Sequence, residues 1–243
     1  LAAALGCDLF DSAAYALYAR QGRYLTASGT LHLENLKYLP CCCEVCRNRS
    51  PEDLSRDPDR IELLARHNLF VSLAEIRRIR QSIWEGSLWE LVERRCRSHP
   101  RMIDGLRALA SSASWIEKLD PASRSTFFYL GPESAKRPEV LRYRSRIDRI
   151  ELSGRVLVAE PGVVAEEKFD HVLWFLPPFG PYPKELAETA PFNAEVPAAA
   201  DEAGIASALA NLERLMEANP GATFDLRLKE ENRAVSEIQE ERI

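Results

Sequence analysis

No apolar run in this 243-residue sequence approaches the ~20 residues that a membrane-spanning helix requires. The first residues, Leu1 to Phe10, lack the basic leader and small-residue cleavage pattern of a secretory signal. The chain does not begin with Met, and both of its ends read as cut from something longer. Excess positive charge is missing as well: 32 Lys and Arg stand against 37 Asp and Glu, a net charge of −5. That excludes a protein basic all over, but not one that meets phosphate through a local basic face. Nor are the cysteines spread out to close loops, as they are in a secreted disulfide framework. Internal repeats and low-complexity tails are also absent. What remains is an ordinary soluble composition, 46% hydrophobic and 28% charged, with enough chain to bury a core.

Four of the six cysteines fall at Cys41, Cys42, Cys43 and Cys46; only Cys7 and Cys96 lie elsewhere. A cluster so tight cannot cross-link the fold, which points to metal in a reducing cytoplasm. A structural zinc takes four ligands in a closed tetrahedron, commonly three Cys and one His. Cys41, Cys43 and Cys46 supply three thiolates from one knuckle. His67, 21 residues after Cys46 and near the start of a long helical stretch, closes the set, giving one structural Zn2+ per chain. The alternative is a Cys₄ site using Cys42, at the cost of turning three successive residues toward one ion. The other histidines, His32, His99 and His171, read as structural.

Along the chain, a helix tail and a turn at Gly6 lead into a short strand, Cys7 to Phe10, that ends at Asp11. Residues 13–40 read as a hairpin-like excursion broken at Gly22 and Gly29. Ser50-Pro51-Glu52-Asp53 is a helix start, with a capping Ser, Pro at the first helical position and acids in the first turn. From Ile61 to Glu85, Leu69, Ser72, Leu73, Ile76, Ile79 and Ile83 form a stripe at helical spacing. Helices over 88–97 and 100–116 follow, and the three are expected to form a packed layer.

Asp120-Pro121 marks a domain boundary, dividing the chain into residues 1–120 and 121–243. Beyond it, strands are expected at Phe127–Leu130, Val156–Glu160 and His171–Leu176, and helices at Pro138–Ile150 and Ala203–Ala218. The run from Pro177 to Pro183 reads as a hinge that continues neither element. Arg77, Arg78 and Arg80, and again Arg142, Arg144, Arg146 and Arg149, read as solvated helix flanks, although the second group would suit phosphate.

Asp11 at a strand end is by itself a weak signal, because Asp there is more often a cap or turn former. The motifs in combination say more. The run Gly6-Cys7-Asp8-Leu9-Phe10-Asp11-Ser12-Ala13-Ala14-Tyr15, the Cys41-x-Cys43-x-x-Cys46 knuckle and Arg66-His67-Asn68-Leu69 resemble, in order and spacing, the tRNA-guanine transglycosylases. The Ser-Ala-Ala-Tyr after Asp11 resembles the archaeal branch, as do Phe127 to Ser134, Arg137-Pro138-Glu139-Val140 and Pro177-Pro178-Phe179-Gly180. The resemblance extends to about Pro197.

It implies an α/β fold: the C-terminal fragment of a (β/α)₈ TIM barrel, carrying an inserted zinc subdomain and followed by a small α+β domain. It implies exchange of the guanine at position 15, in the D-loop of tRNA, for 7-cyano-7-deazaguanine (preQ0) in archaeosine biosynthesis. Asp11 matches the nucleophile, which forms a covalent aspartyl-ribosyl intermediate. Asp8, on the opposite strand face, is the less favoured carboxylate. Arg20 and Arg23 fall where bacterial relatives contact tRNA, at a longer spacing from the aspartate. The base-recognising residues and second aspartate belong to earlier strands outside this sequence, and a PUA-type RNA-binding module is not evident. The expected partners are tRNA, the guanine or preQ0 base, and either a second copy through the zinc region or a separate N-terminal half; no membrane is expected. Two alternatives stand beside this reading: a non-catalytic, zinc-stabilised tRNA-binding subunit, and a paralogue like the archaeosine synthase.

Overall fold

The computed structural model describes residues 1–110, 113–120, 126–163 and 166–229. The chain divides into two compact units, Leu1–Ile103 and Asp104–Ile243. Together they make a mixed helix and sheet protein. No described helix is long and apolar enough to cross a membrane.

The first unit opens with a 3-10 turn, Ala3–Leu5, closed by Gly6 in the left-handed conformation. Residues 7–13 then have no regular structure, so the strand expected over Cys7–Phe10 is not formed. A strand exists only against a neighbour that takes its N–H and C=O groups, and no described segment pairs with this one. Leu9 is 90% exposed as a result.

Helix α1 (Ala14–Arg20) follows, within the expected excursion. The hairpin comes after it, as β1 (Arg23–Thr26) paired antiparallel with β2 (Gly29–His32) in the register Thr26↔Gly29. Helix α2 (Pro51–Arg56) starts where the capping signal places it. Ser50 Oγ accepts from the Asp53 N–H, and Asp53 Oδ2 accepts from the Ser50 N–H, a complete capping box.

Helix α3 (Arg60–Glu85) is the longest element, ended by Gly86 in the left-handed conformation. Its first half buries Leu64, His67 and Asn68 in a core with Ala19, Tyr24, Leu33, Val45, Cys46 and Leu54. Its second half does not do what the stripe suggests. Leu69, Phe70, Leu73, Ile76 and Ile83 are all exposed, between 38% and 52%. The expected packed layer is therefore made only in part. Helix α4 (Leu88–Cys96) is tied to α3 by Arg95, whose guanidinium grips Glu75 in two 2.7 Å bonds, yet it leaves that stripe open. Helix α5 (Pro100–Ala110) contains the division between the units.

The second unit continues with α6 (Ala113–Leu119) and α7 (Pro138–Arg144). Its sheet has the order β5-β4-β3-β6. Strands β3 (Gly154–Ala159) and β4 (His171–Leu176) run parallel, and β6 (Ala222–Arg227) runs parallel to β3 on the other side. Strand β5 (Gly180–Pro183) pairs antiparallel with β4. The proline-rich run is thus a turn over residues 177–179 followed by an edge strand rather than a hinge, since Pro is tolerated where one side of the ladder needs no donor. Phe127–Leu130 is not a strand but a single bridge, Phe128 to Glu195.

Alternation along β4 builds two cores. Leu173 and Phe175 join Val156, Val158 and the apolar face of α8 (Glu202–Ala218). Trp174 and Leu176 pack instead on the aromatic cluster of Phe127, Tyr129, Phe179, Tyr182 and Phe192. Each fully buried Leu, Ile or Phe contributes about 1.5–3 kcal/mol.

Candidate metal centre

Three sequence segments converge on one point of the first unit. Cys41, Cys43 and Cys46 come from the knuckle, whose turn is closed by the Cys46 and Arg47 N–H groups donating to the Cys43 carbonyl. His67 comes from the second turn of α3, and the hairpin strand β1 covers it. The four ligand atoms all lie within 4.8 Å of one another. His67 Nδ1 is 3.5 Å from Cys43 Sγ and 3.3 Å from Cys46 Sγ. Ligands of a tetrahedral zinc, with bonds of about 2.0–2.3 Å, stand roughly 3.4–3.8 Å apart. The donor set and its spacing therefore fit Zn2+. Cys42, between two of the ligands, is exposed and outside the group, so the four-cysteine alternative has no geometric support.

The surroundings hold this set in place. His67 is fully buried, and its Nε2 lies 3.0 Å from the Leu25 carbonyl. Donation of Nε2–H to that carbonyl leaves the Nδ1 lone pair aimed at the sulfurs, the arrangement that orients a metal-bound histidine. Tyr24 Oη is 3.3 Å from Cys46 Sγ and donates to it when the sulfur is a thiolate. Asn68, the next residue on α3, is also fully buried. Its Oδ1 accepts from the Leu25 N–H at 2.9 Å, and its Nδ2 donates to the carbonyls of Arg23 and Tyr15. One amide thus fastens both α1 and β1 to α3.

Burial sets the electrostatics. It pushes the Cys46 thiol up to about 12 and raises Cys41 and the Tyr24 hydroxyl. It holds His67 below its ordinary value, which favours the neutral imidazole that ligates metal. Zinc bound here would displace thiol protons and tie the knuckle to α3, contributing directly to folding.

The other sequence candidates are not members of this cluster. Asp11 is exposed, in the irregular segment just before α1, where the Ser12 hydroxyl accepts from the Ala14 N–H. Arg20, the last residue of α1, is exposed and lines a concavity of about 330 Å³ with His32, Ser55 and Arg60. Arg23 does not line that concavity. It donates to Thr30 Oγ1 across the hairpin at 3.1 Å, and its guanidinium lies 6.0 Å from the centre of the Tyr18 ring. In the second-unit arginine group, Arg142 is buried and bound to Glu117 and the Asp120 carbonyl, so it is structural. Tyr24 and Arg60 carried no signal in the sequence. Asn68 stood inside a noted motif, but without a role.

Residues 1–101 match the family model described as queuine tRNA-ribosyltransferase. A protein of Methanosarcina acetivorans named tRNA-guanine(15) transglycosylase is 53% identical over 224 residues, covering 92% of this chain and 46% of that protein. A protein of the same name from Haloferax volcanii is 54% identical over 228 residues, covering 93% of this chain and 44% of its own length. One from Methanococcus maripaludis is 56% identical over 157 residues, 62% of this chain and 24% of its own. The chain spans about half the length of the first two of these relatives. By sequence, the chain belongs with the archaeal-type tRNA-guanine transglycosylases.

Proposed function

We infer that this chain is part of an enzyme that exchanges the guanine at position 15 of tRNA for preQ0. The observation that supports the reading most is identity above 50% to proteins named for guanine-15 transglycosylation, across both units of the chain.

Asp11 is the proposed nucleophile. Its carboxylate attacks the ribose C1′, forming a C–O bond as the C1′–N9 bond to guanine breaks and the departing base takes up a proton. The ring nitrogen of the incoming deazaguanine then attacks C1′ and loses its proton, and the Asp11 carboxylate leaves. Two displacements at one carbon retain configuration, by the logic of retaining glycosidases. An exposed carboxylate in a segment free of regular structure is available for this once neighbouring strands surround it.

The zinc site is structural in this scheme, because four protein ligands leave the ion no open position for a substrate. His67 and its neighbour Asn68 hold β1 and α1 on α3, and α1 begins three residues after Asp11. The exposed stripe of Leu69, Leu73, Ile76 and Ile83, with Leu9 and Phe10, is the proposed seat for the rest of a (β/α)₈ barrel. In this reading the remainder is supplied by part of the relatives' length that this chain does not span.

The test is to supply the missing half from a relative and measure incorporation of radiolabelled preQ0 into tRNA. Turnover by the reconstituted pair, lost in Asp11→Asn with tRNA binding retained, supports the reading. Turnover that survives Asp11→Asn removes Asp11 as nucleophile. Binding of tRNA without turnover in any pairing favours a non-catalytic subunit.

A further inference from the structure

The second unit contains a cavity of about 330 Å³ beside α7. Phe127, Tyr143, Ile150, Leu186, Pro191 and Phe192 are among the residues that line it. These walls are held before any ligand arrives. Phe192 stacks on Tyr182, with ring centres 4.4 Å apart and planes 5° apart, and Tyr143 meets Phe192 edge-on at 4.9 Å and 82°. The Tyr143 hydroxyl donates to the Pro181 carbonyl of β5, which fixes that ring as well. The volume lies at the lower end of ordinary ligand sites, about 300–1,000 Å³. It suits one planar ring system rather than a length of chain.

The charges around the cavity narrow its ligand. Glu139 and Arg142 also line it, but each is committed: Glu139 to Arg137 at 2.6 Å, and Arg142 to Glu117 at 2.8 Å. Arg146, two residues beyond α7, lines the cavity too and is exposed. Among the described residues no carboxylate pairs with it. A largely apolar cavity with one uncommitted guanidinium among its lining residues matches a planar heterocycle joined to an anion, which is the chemistry of a nucleotide. Single-stranded RNA offers this where a base leaves the stack, and such bases are characteristically received on aromatic rings and arginine planes.

We propose that this cavity receives one unstacked base of the tRNA, with the adjoining phosphate on Arg146. The proposal rests on the reading of tRNA as substrate and adds a contact site within the second unit.

The test uses the zinc-loaded chain, a fluorescently labelled tRNA transcript and a salt series. Leu186→Trp fills the mouth of the cavity, and Arg146→Gln removes the charge from an exposed position where folding is not at stake. Leu186→Trp is expected to weaken tRNA binding about tenfold, the loss of one stacked base. Arg146→Gln is expected to lower the salt slope by about one released ion. Wild-type affinity in a folded Leu186→Trp protein, or an unchanged slope in Arg146→Gln, overturns the proposal while leaving tRNA binding standing. A wild-type chain that binds no tRNA overturns both. Guanosine 5′-monophosphate, added as competitor, separates the sources: displacement of tRNA at millimolar concentration, lost in Leu186→Trp, supports a base-sized site. Nucleotide binding that Leu186→Trp abolishes while tRNA affinity is unaffected assigns the cavity to a free nucleotide, against the proposal.

Discussion

Tyr24 lies flat on His67, with ring centres 3.7 Å apart and planes 19° apart, while its hydroxyl reaches Cys46 Sγ at 3.3 Å. One side chain from the hairpin therefore braces two of the four proposed metal ligands. The sheet of only two strands would be marginal alone. Here it has a fixed place because its central tyrosine is built into the metal centre.

The first expectation concerns that brace. Tyr24→Phe keeps the stacked ring and removes the hydroxyl from Cys46. Loss of such a supporting bond costs about 10–100-fold in metal affinity. Competition against a chromogenic zinc chelator would measure it; unchanged affinity would show that the hydroxyl does not tune the sulfur.

Removing the metal should act on the same unit. Chelation, or Cys43→Ala or His67→Ala, is expected to abolish bound zinc and to loosen residues 14–68, seen as rapid amide exchange over α1 and the hairpin. Strands β3, β4 and β6 draw their stability from a core of their own and should keep their protection. Because burial raises the Cys46 thiol to about 12, zinc must displace its proton. Affinity should then rise with pH through the neutral range and fall in acid. A variant retaining one zinc per chain would show that its residue is not a ligand.

Asn68 makes three hydrogen bonds from a fully buried position. Asn68→Ala strands the Leu25 N–H and the carbonyls of Tyr15 and Arg23. A cost of about 3 kcal/mol is expected, at roughly 1–3 kcal/mol per strongly buried group. Asn68→Asp should be nearly as harmful, since a carboxylate cannot donate to either carbonyl. Urea denaturation of the zinc-loaded protein decides the matter, and a loss under 1 kcal/mol in both variants would refute this account.

In the second unit, Gly180 opens β5 at φ +83°, and a Cβ built there would stand 2.5 Å from the Ala208 carbonyl oxygen of α8. The approach is fixed by Asn211, whose Nδ2 donates to the Phe179 carbonyl at 2.8 Å. Gly180→Ala meets both a left-handed backbone and a rigid neighbour. About 2–4 kcal/mol should be lost, read as a fall in the unit's melting temperature. A Gly180→Ala protein melting with the wild type would contradict the packing described.

Local chemistry made much of this protein legible. Three cysteines at knuckle spacing need a fourth ligand nearby, so His67 could be named from composition and order alone. The Ser50 capping box, the long helix ended by Gly86, and the apolar runs of β3 and β4 are each encoded in consecutive residues. Other features were out of reach because they depend on partners distant in the chain. Asn68 acts on Leu25 and Tyr15, which are 43 and 53 residues away. The strand expected at Cys7–Phe10 does not form because no described segment pairs with it, and pairing is not a property of one strand's own residues. Periodicity marked the α3 stripe as apolar but could not say what covers it; burial depends on the rest of the fold. In the same way, resemblance named Arg20 and Arg23 together, but only the fold shows their separate surroundings, a surface concavity for one and Thr30 across a hairpin for the other.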